Sequence, residues 1–130
     1  MNTNAVYWLE LCDDDLMAAK TLFYSNHFRH MSLFCHMIIE KALKAVIADK
    51  MNEIPPKIHH LPKLAAYGGI FEILSDEQLT LLDQLTPLQI ESRYPESKKK
   101  IENALTAADC EQMLSQTEEF LCWIKKLLEK

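Results

Sequence analysis

Residues 28–50 read FRHMSLFCHMIIEKALKAVIADK, and this stretch decides the fold. Its apolar residues recur at steps of three and four, as on one face of an amphipathic helix. The predicted buried stripe is Phe28, Met31, Cys35, Ile38, Ile39, Ala42 and Val46. At about 100° of turn per residue, a second set falls on the opposite, largely polar side: Arg29, Leu33, His36, Met37, Glu40 and Lys44.

A second helix of similar length is predicted just before it, from about Thr3 to Tyr24. Its apolar face consists of Ala5, Leu9, Cys12, Leu16, Ala19 and Phe23. Asn4 or Thr3 is a suitable N-cap, and the acidic run of residues 13–15 is expected to be solvated. Because only Ser25, Asn26 and His27 join the two segments, we expect an antiparallel hairpin.

The remaining chain predicts short helices followed by one long helix. Pro55 and Pro56 end the regular structure, and a helix over 61–67 stops at Gly68 and Gly69. A capping box at Ser75–Gln78 opens a helix that runs to Leu85. An irregular segment is expected between Pro87 and Pro95, and a basic run follows at 98–100. A cap at Thr106–Asp109 precedes the last helix. We therefore predict a single all-α, up-and-down bundle over residues 1–130, with three long helices.

The composition limits the class of protein. A net charge of −5 argues against a protein that binds nucleic acid by bulk phosphate neutralisation, although a local basic site is compatible with it. The four cysteines form no CxxC pair and are expected to be small buried residues in a reducing compartment. No apolar run is long enough for a membrane span and no signal peptide precedes the first helix, so we expect a cytoplasmic protein. Neither a metal site nor a cofactor is predicted.

A second stretch contains side chains that are suited to bind a ligand rather than to determine the fold. Glu91-Ser92-Arg93-Tyr94-Pro95 places a carboxylate, a guanidinium and a phenol ahead of a proline expected to stop a helix. Arg93 is suited to clamp a phosphate, and Tyr94 to stack on a base. Glu40 and Lys44, four residues apart on one helix face, are expected to border the same polar groove. The structural alternative is a network in which Glu91 or Glu40 pairs with Arg93 and only stabilises the fold.

These residues resemble the HEPN family of small helical domains over nearly the whole chain. The resemblance is carried by Leu16–Lys20, by Met37–Ala45 with its glutamate-lysine-alanine-leucine-lysine-alanine core, by His60, Leu61 and Leu64, by Glu91–Pro95 and by Trp123-Ile124. It implies a helical bundle, often dimeric, that is associated with nucleotides or RNA and often paired with a small nucleotidyltransferase. Many such domains are ribonucleases of toxin-antitoxin or defence systems, which use an arginine followed closely by a histidine at a dimer interface.

This chain departs from that catalytic pattern, because no histidine occurs between Arg93 and Lys100. Histidine is the usual general base near neutral pH. We therefore predict a non-catalytic binding module whose ligand site comprises Glu40, Lys44, Glu91, Arg93 and Tyr94. Two alternatives stay open: a metal-independent ribonuclease in which Arg93 works with His36 or His59, and a purely structural protein.

Some histidines and apolar residues have simpler expected roles. Arg29 and His36 have the ribonuclease spacing, with six residues between them, but they lie in the second helix. His59 and His60 are expected to cap a helix or to be exposed. Leu33 and Met37 lie on the polar side of the second helix and predict a homodimer or partner interface.

Overall fold

The computed structural model describes the backbone of residues 1–91 and 94–129, and their side chains except those of residues 90, 91 and 95–98. This part of the chain is helical and contains no strand, so the predicted all-α bundle is confirmed. The helices are α1 (Thr3–Tyr24), α2 (Phe28–Lys50), α3 (Leu61–Tyr67), α4 (Asp76–Leu85), α5 (Leu88–Glu91), α6 (Pro95–Ala104) and α7 (Ala107–Leu128), with a 3₁₀ turn at Phe71–Ile73.

The hairpin of α1 and α2 has the predicted bounds. The cap of α1 is Asn2 rather than Thr3 or Asn4, because the Asn2 side chain accepts the Ala5 N–H at 2.8 Å. Asn26 adopts the left-handed conformation, with φ of 62°, and this reverses the chain between the two helices.

Helix α2 is the central element, and it contacts α1, α3, α4, α5, α6 and α7. The predicted stripe is buried except for the half-buried Phe28, and the hairpin partner α1 covers much of it. The polar side of α2 is not uniformly exposed, because His36 and Lys44 are 0% and 7% exposed. Residues 42–48 of α2 are all buried, because α2 is packed against six other helices.

The short helices start and stop where local signals predict. Ser75 and Gln78 form the capping box of α4. Gly69 has φ of 77°, which ends α3 in a conformation that glycine adopts without strain. His60 caps α3, since its Nδ1 accepts the Lys63 N–H at 3.2 Å.

The segment between Pro87 and Leu105 differs from the prediction. It was expected to be irregular up to Pro95, yet four residues form α5 and Pro95 opens α6 instead of stopping a helix. A proline in the first turn costs nothing, because its missing N–H would have no partner within the helix. Both α5 and α6 pack against α2.

Helix α7 closes the bundle against α2 and α1, with Thr106 as its cap. The acidic run in α1 was expected to be solvated, and Asp13 and Asp14 are exposed while Asp15 is half-buried. Asp13 accepts a hydrogen bond from Lys125 at 2.7 Å, and Asp15 pairs with Lys41. These ion pairs tie α1 to α7 and to α2.

The prediction for the cysteines is wrong at one of the four positions. Cys12, Cys35 and Cys110 are buried, whereas Cys122 is exposed, and all four are free thiols. None of the described helices combines the length and the apolar character needed to cross a membrane.

Candidate functional site

The polar centre of the molecule is Glu40, halfway along α2. Its carboxylate is only 13% exposed. His36 and Lys44 lie one turn before and one turn after it on the same helix face. Lys44 Nζ donates to Glu40 Oε2 at 3.1 Å, and His36 Nδ1 lies 3.8 Å from Glu40 Oε1. The helical repeat therefore places three ionisable groups together without any loop.

A fourth group comes from the connector between α2 and α3. His59 Nδ1 lies 2.8 Å from Glu40 Oε1, and the His59 carbonyl oxygen lies 3.0 Å from His36 Nε2. A carboxylate and a carbonyl oxygen only accept, so both imidazole nitrogens in these contacts are donors. His59 is thus attached to α2 by its ring and by its backbone.

Helix α1 supplies the remaining wall through Trp8. The Lys44 ammonium lies 5.7 Å from the centre of the Trp8 ring, a cation–π contact that also covers the lysine. We call the group formed by Trp8, His36, Glu40, Lys44 and His59 the Glu40 recess.

Charge in the Glu40 recess is balanced internally. One carboxylate faces one ammonium and two imidazoles, so this nearly buried acid has the partners that desolvation requires. The side chain of His59 is 53% exposed, in contrast to the enclosed His36 and Lys44. His59 is therefore the accessible member of the cluster.

The residues predicted as the ligand site are only partly brought together. Glu40 and Lys44 are in direct contact. Tyr94 is 52% exposed just before α6. Arg93 lies outside the described residues, as does the side chain of Glu91, so the predicted approach of the guanidinium to Glu40 and Lys44 stays a prediction.

The contact of His59 with Glu40 was not predicted. His59 and His60 were expected to cap a helix or to be exposed, and the His59 side chain is 53% exposed while His60 provides the cap. His59 follows Glu40 by 19 residues, and no periodicity relates a loop residue to a helix face at that distance. The two prolines at 55 and 56 signalled that the helix ends but not that the chain returns along it.

Other candidate sites are less suited to a phosphate. A cavity of about 600 Å³ between α4 and α7 is bordered by Asp76, Glu77 and Asp109, whose charges repel anions. Among the described residues, no group of three or more histidine, cysteine or acidic side chains is arranged to hold a metal ion. Burial raises the pKa of the Cys12 and Cys35 thiols to about 12, so neither is a nucleophile at neutral pH.

Comparison with known proteins gives one match. The family model for the HEPN domain matches residues 5–127, which is nearly the whole chain. Searches of curated proteins and of solved structures gave no match.

Proposed function

We propose that this chain, which belongs to the HEPN family, is a binding module for a phosphate-bearing ligand, either a nucleotide or RNA. HEPN domains are associated with nucleotides and RNA, and many are ribonucleases. The observation that carries the proposal is the Glu40 recess, a polar cluster on the central helix of an apolar bundle with one imidazole open to solvent.

Basic residues on α6, a helix that packs against α2, support a phosphate ligand. Helix α6 packs against α2 and carries the exposed Lys99 and Lys100. Arg93 precedes α6 by two residues in the sequence. A planar guanidinium binds two phosphate oxygens at once, while histidine and lysine add single charged donors.

Binding to AMP, ATP and short single-stranded RNAs, measured by fluorescence anisotropy, tests the proposal. Arg93→Ala and His59→Ala should each weaken binding about 10-fold or more, as loss of a charged hydrogen bond does. Arg93→Lys keeps the charge but loses the two-pronged contact, so its affinity should fall between those of the parent and Arg93→Ala.

Lys126→Ala is the matched control, because this lysine is exposed on α7 and lies outside the Glu40 recess. Its affinity should equal that of the parent. If Arg93→Ala and His59→Ala also bind as well as the parent, the assigned site is wrong.

We also propose that the chain forms a homodimer through α2. Leu33 and Met37 stay partly exposed on a helix that is otherwise largely covered. A nucleotidyltransferase partner is a further prediction that rests on the family resemblance, and the gene adjacent to this one is the observation that tests it.

A further inference from the structure

A groove lies along the outer side of the bundle, between α4 and α7. The cavity of about 600 Å³ between these helices adjoins a more open cavity of about 510 Å³, and both are lined by Glu77, Gln112 and Gln116. The five residues of the Glu40 recess, all of which the structure describes, line neither cavity. We call the joined cavities the α4–α7 groove. Its outer wall on α7 consists of Ala108, Glu111, Ser115 and Glu119.

Negative charge is concentrated on the two helices that form this groove. Helix α4 and residues 107–119 of α7 contain seven acidic residues and no lysine or arginine. The rest of the chain contains twelve acidic residues and fourteen lysines and arginines. The acidic excess of the chain therefore lies on these two segments. Among the described residues, Glu118 is the one of the seven that forms an ion pair, with Lys20 of α1.

Helix stability accounts for some of these acidic residues but not for all of them. Asp76 and Glu77 lie in the first turn of α4, and Asp109 lies in the first turn of α7, where a carboxylate interacts favourably with the helix dipole. Glu111 and Glu119 are exposed and lie beyond the first turn of α7. Because the dipole effect is confined to the first turn, their charge does not stabilise the helix in this way.

The length and the walls of the groove suit a peptide segment better than a small ion. Residues 109–119 of α7 extend over about 15 Å, at 1.5 Å per helical residue. Ala108 and Ser115 have short side chains, so a second backbone can approach α7 closely. The amide groups of Gln112 and Gln116 supply both donors and acceptors for the peptide groups of such a segment.

We propose that the α4–α7 groove is the docking site for a lysine- and arginine-rich segment of a partner protein. Cationic side chains of that segment pair with Glu77, Glu111 and Glu119, and such complementary charges determine the choice of partner and the rate of association. The same carboxylates repel RNA. This docking surface is therefore separate from the proposed phosphate site, and the inference does not rest on the proposed function.

The experiment measures the anisotropy of a labelled peptide of about 15 residues, composed of lysine, alanine and glutamine, with the full chain. The parent chain should bind this peptide and should not bind a peptide with glutamate in place of lysine. Affinity should fall steeply as the ionic strength rises from about 0.01 M to about 0.15 M, because the Debye length shortens from about 30 Å to about 8 Å.

Two pairs of substitutions compare the groove with another acidic surface at about 0.1 M ionic strength, where charges more than about 10 Å away are screened. Glu111→Gln combined with Glu119→Gln should weaken peptide binding about five-fold or more, because two exposed ion pairs are lost. Glu10→Gln combined with Asp14→Asn is the matched control. It removes the same charge from exposed positions of α1, so affinity should stay within about two-fold of the parent.

A third variant separates a seated peptide from diffuse attraction. Ser115→Trp fills part of the groove without changing its charge, and it should also weaken peptide binding several-fold. Circular dichroism melts of each variant measure whether the helical fold is kept. Binding of AMP and RNA by the groove variants should equal that of the parent, because the phosphate site lies elsewhere.

Several outcomes would overturn the docking proposal. They are a parent chain that does not bind the lysine peptide at low salt, an equal loss of affinity in the groove pair and the α1 pair, and undiminished binding by Ser115→Trp. Spermine that binds as tightly as the peptide would indicate a site for small polyamines instead. A parent chain that binds the peptide but no nucleotide or RNA contradicts the proposed function alone.

Discussion

At the scale of single residues, Glu40 explains why a charged cluster is stable inside an apolar bundle. Both carboxylate oxygens have a donor: Lys44 for one and His59 for the other. Removing the counter-ion of a nearly buried charge lowers stability by on the order of 3 to 5 kcal/mol. The same contacts hold Lys44 against the Trp8 ring, so the role of this lysine is to neutralise Glu40 rather than to bind a ligand directly.

The first prediction concerns this ion pair. Glu40→Gln should lower the free energy of unfolding by about 3 kcal/mol in urea titrations, because it leaves the Lys44 ammonium enclosed without a counter-charge. The double variant Glu40→Gln with Lys44→Met should recover most of that loss, since no buried charge remains.

A matched control is available on the surface. Lys20 and Glu118 form an ion pair at 2.8 Å, with side chains 44% and 42% exposed. Glu118→Gln should change the free energy of unfolding by at most about 0.5 kcal/mol. Equal effects of Glu40→Gln and Glu118→Gln would show that the Glu40 recess is solvated.

The sequence predicted some of these residues and missed others for identifiable reasons. The proximity of Glu40 to Lys44 follows from the helical repeat alone. The burial of Lys44 does not, because it depends on Trp8 from another helix. His59 was named as a candidate from the sequence, but its contact with Glu40 was not predicted, because that contact depends on the path of a loop.

At the scale of elements, the connector over residues 51–60 decides whether the Glu40 recess exists. It contains no helix, and its residues are mostly exposed. Its described side-chain hydrogen bonds to α2 are one from the His59 ring to Glu40 and one from His36 to the His59 carbonyl, while Ile58 packs against the core and Glu53 accepts from Tyr67. Because the connector is mostly exposed and contains no helix, it opens at a lower free-energy cost than the helices do.

The second prediction concerns that attachment. His36→Leu removes the donor to the His59 carbonyl, a loss of about 1 kcal/mol that should raise trypsin cleavage after the exposed Lys57 about five-fold. His36→Gln can place an amide donor near the same carbonyl, so its cleavage rate should stay close to that of the parent. Urea titration of both variants measures global stability separately.

One outcome would contradict this prediction for the connector. If Lys57 is cleaved equally fast in the parent and in His36→Leu at equal global stability, the backbone contact of His59 does not hold the loop. The orientation of His59 would then depend on Glu40 alone.

The helix boundaries that depend on nearby residues were predicted, whereas one that depends on packing between helices was not. The capping box at Ser75 and the helix stop at Gly68 and Gly69 were predicted, because both effects are local. Pro95 was misinterpreted because a proline is equally compatible with the end of one helix and the first turn of the next. The packing of α6 on α2 favours the second outcome.

At the scale of the whole molecule, α2 organises both the core and the recess. It contacts the other α-helices of the described chain, so the face that carries Leu33 and Met37 is one of the few parts of α2 left for a partner. An apolar patch on such a face is typical of a self-complementary dimer interface.

The third prediction follows from this face. The parent chain should have the mass of a dimer in light scattering after gel filtration. Leu33→Gln combined with Met37→Gln should shift it to the mass of a monomer while retaining helicity. Ile54→Gln is the control, because Ile54 is 91% exposed in the connector and lies away from the α2 patch in sequence. A monomeric parent chain would contradict the dimer proposal.

The sequence by itself determined the helical fold, the hairpin, most caps and stops, and the family. These depend on periodicity and on contacts between residues a few positions apart. The tertiary structure alone decided that His36 and Lys44 are enclosed and that His59 joins Glu40 in a recess. Those results depend on where a loop and a neighbouring helix lie in space, and a pattern along one helix carries no information about either.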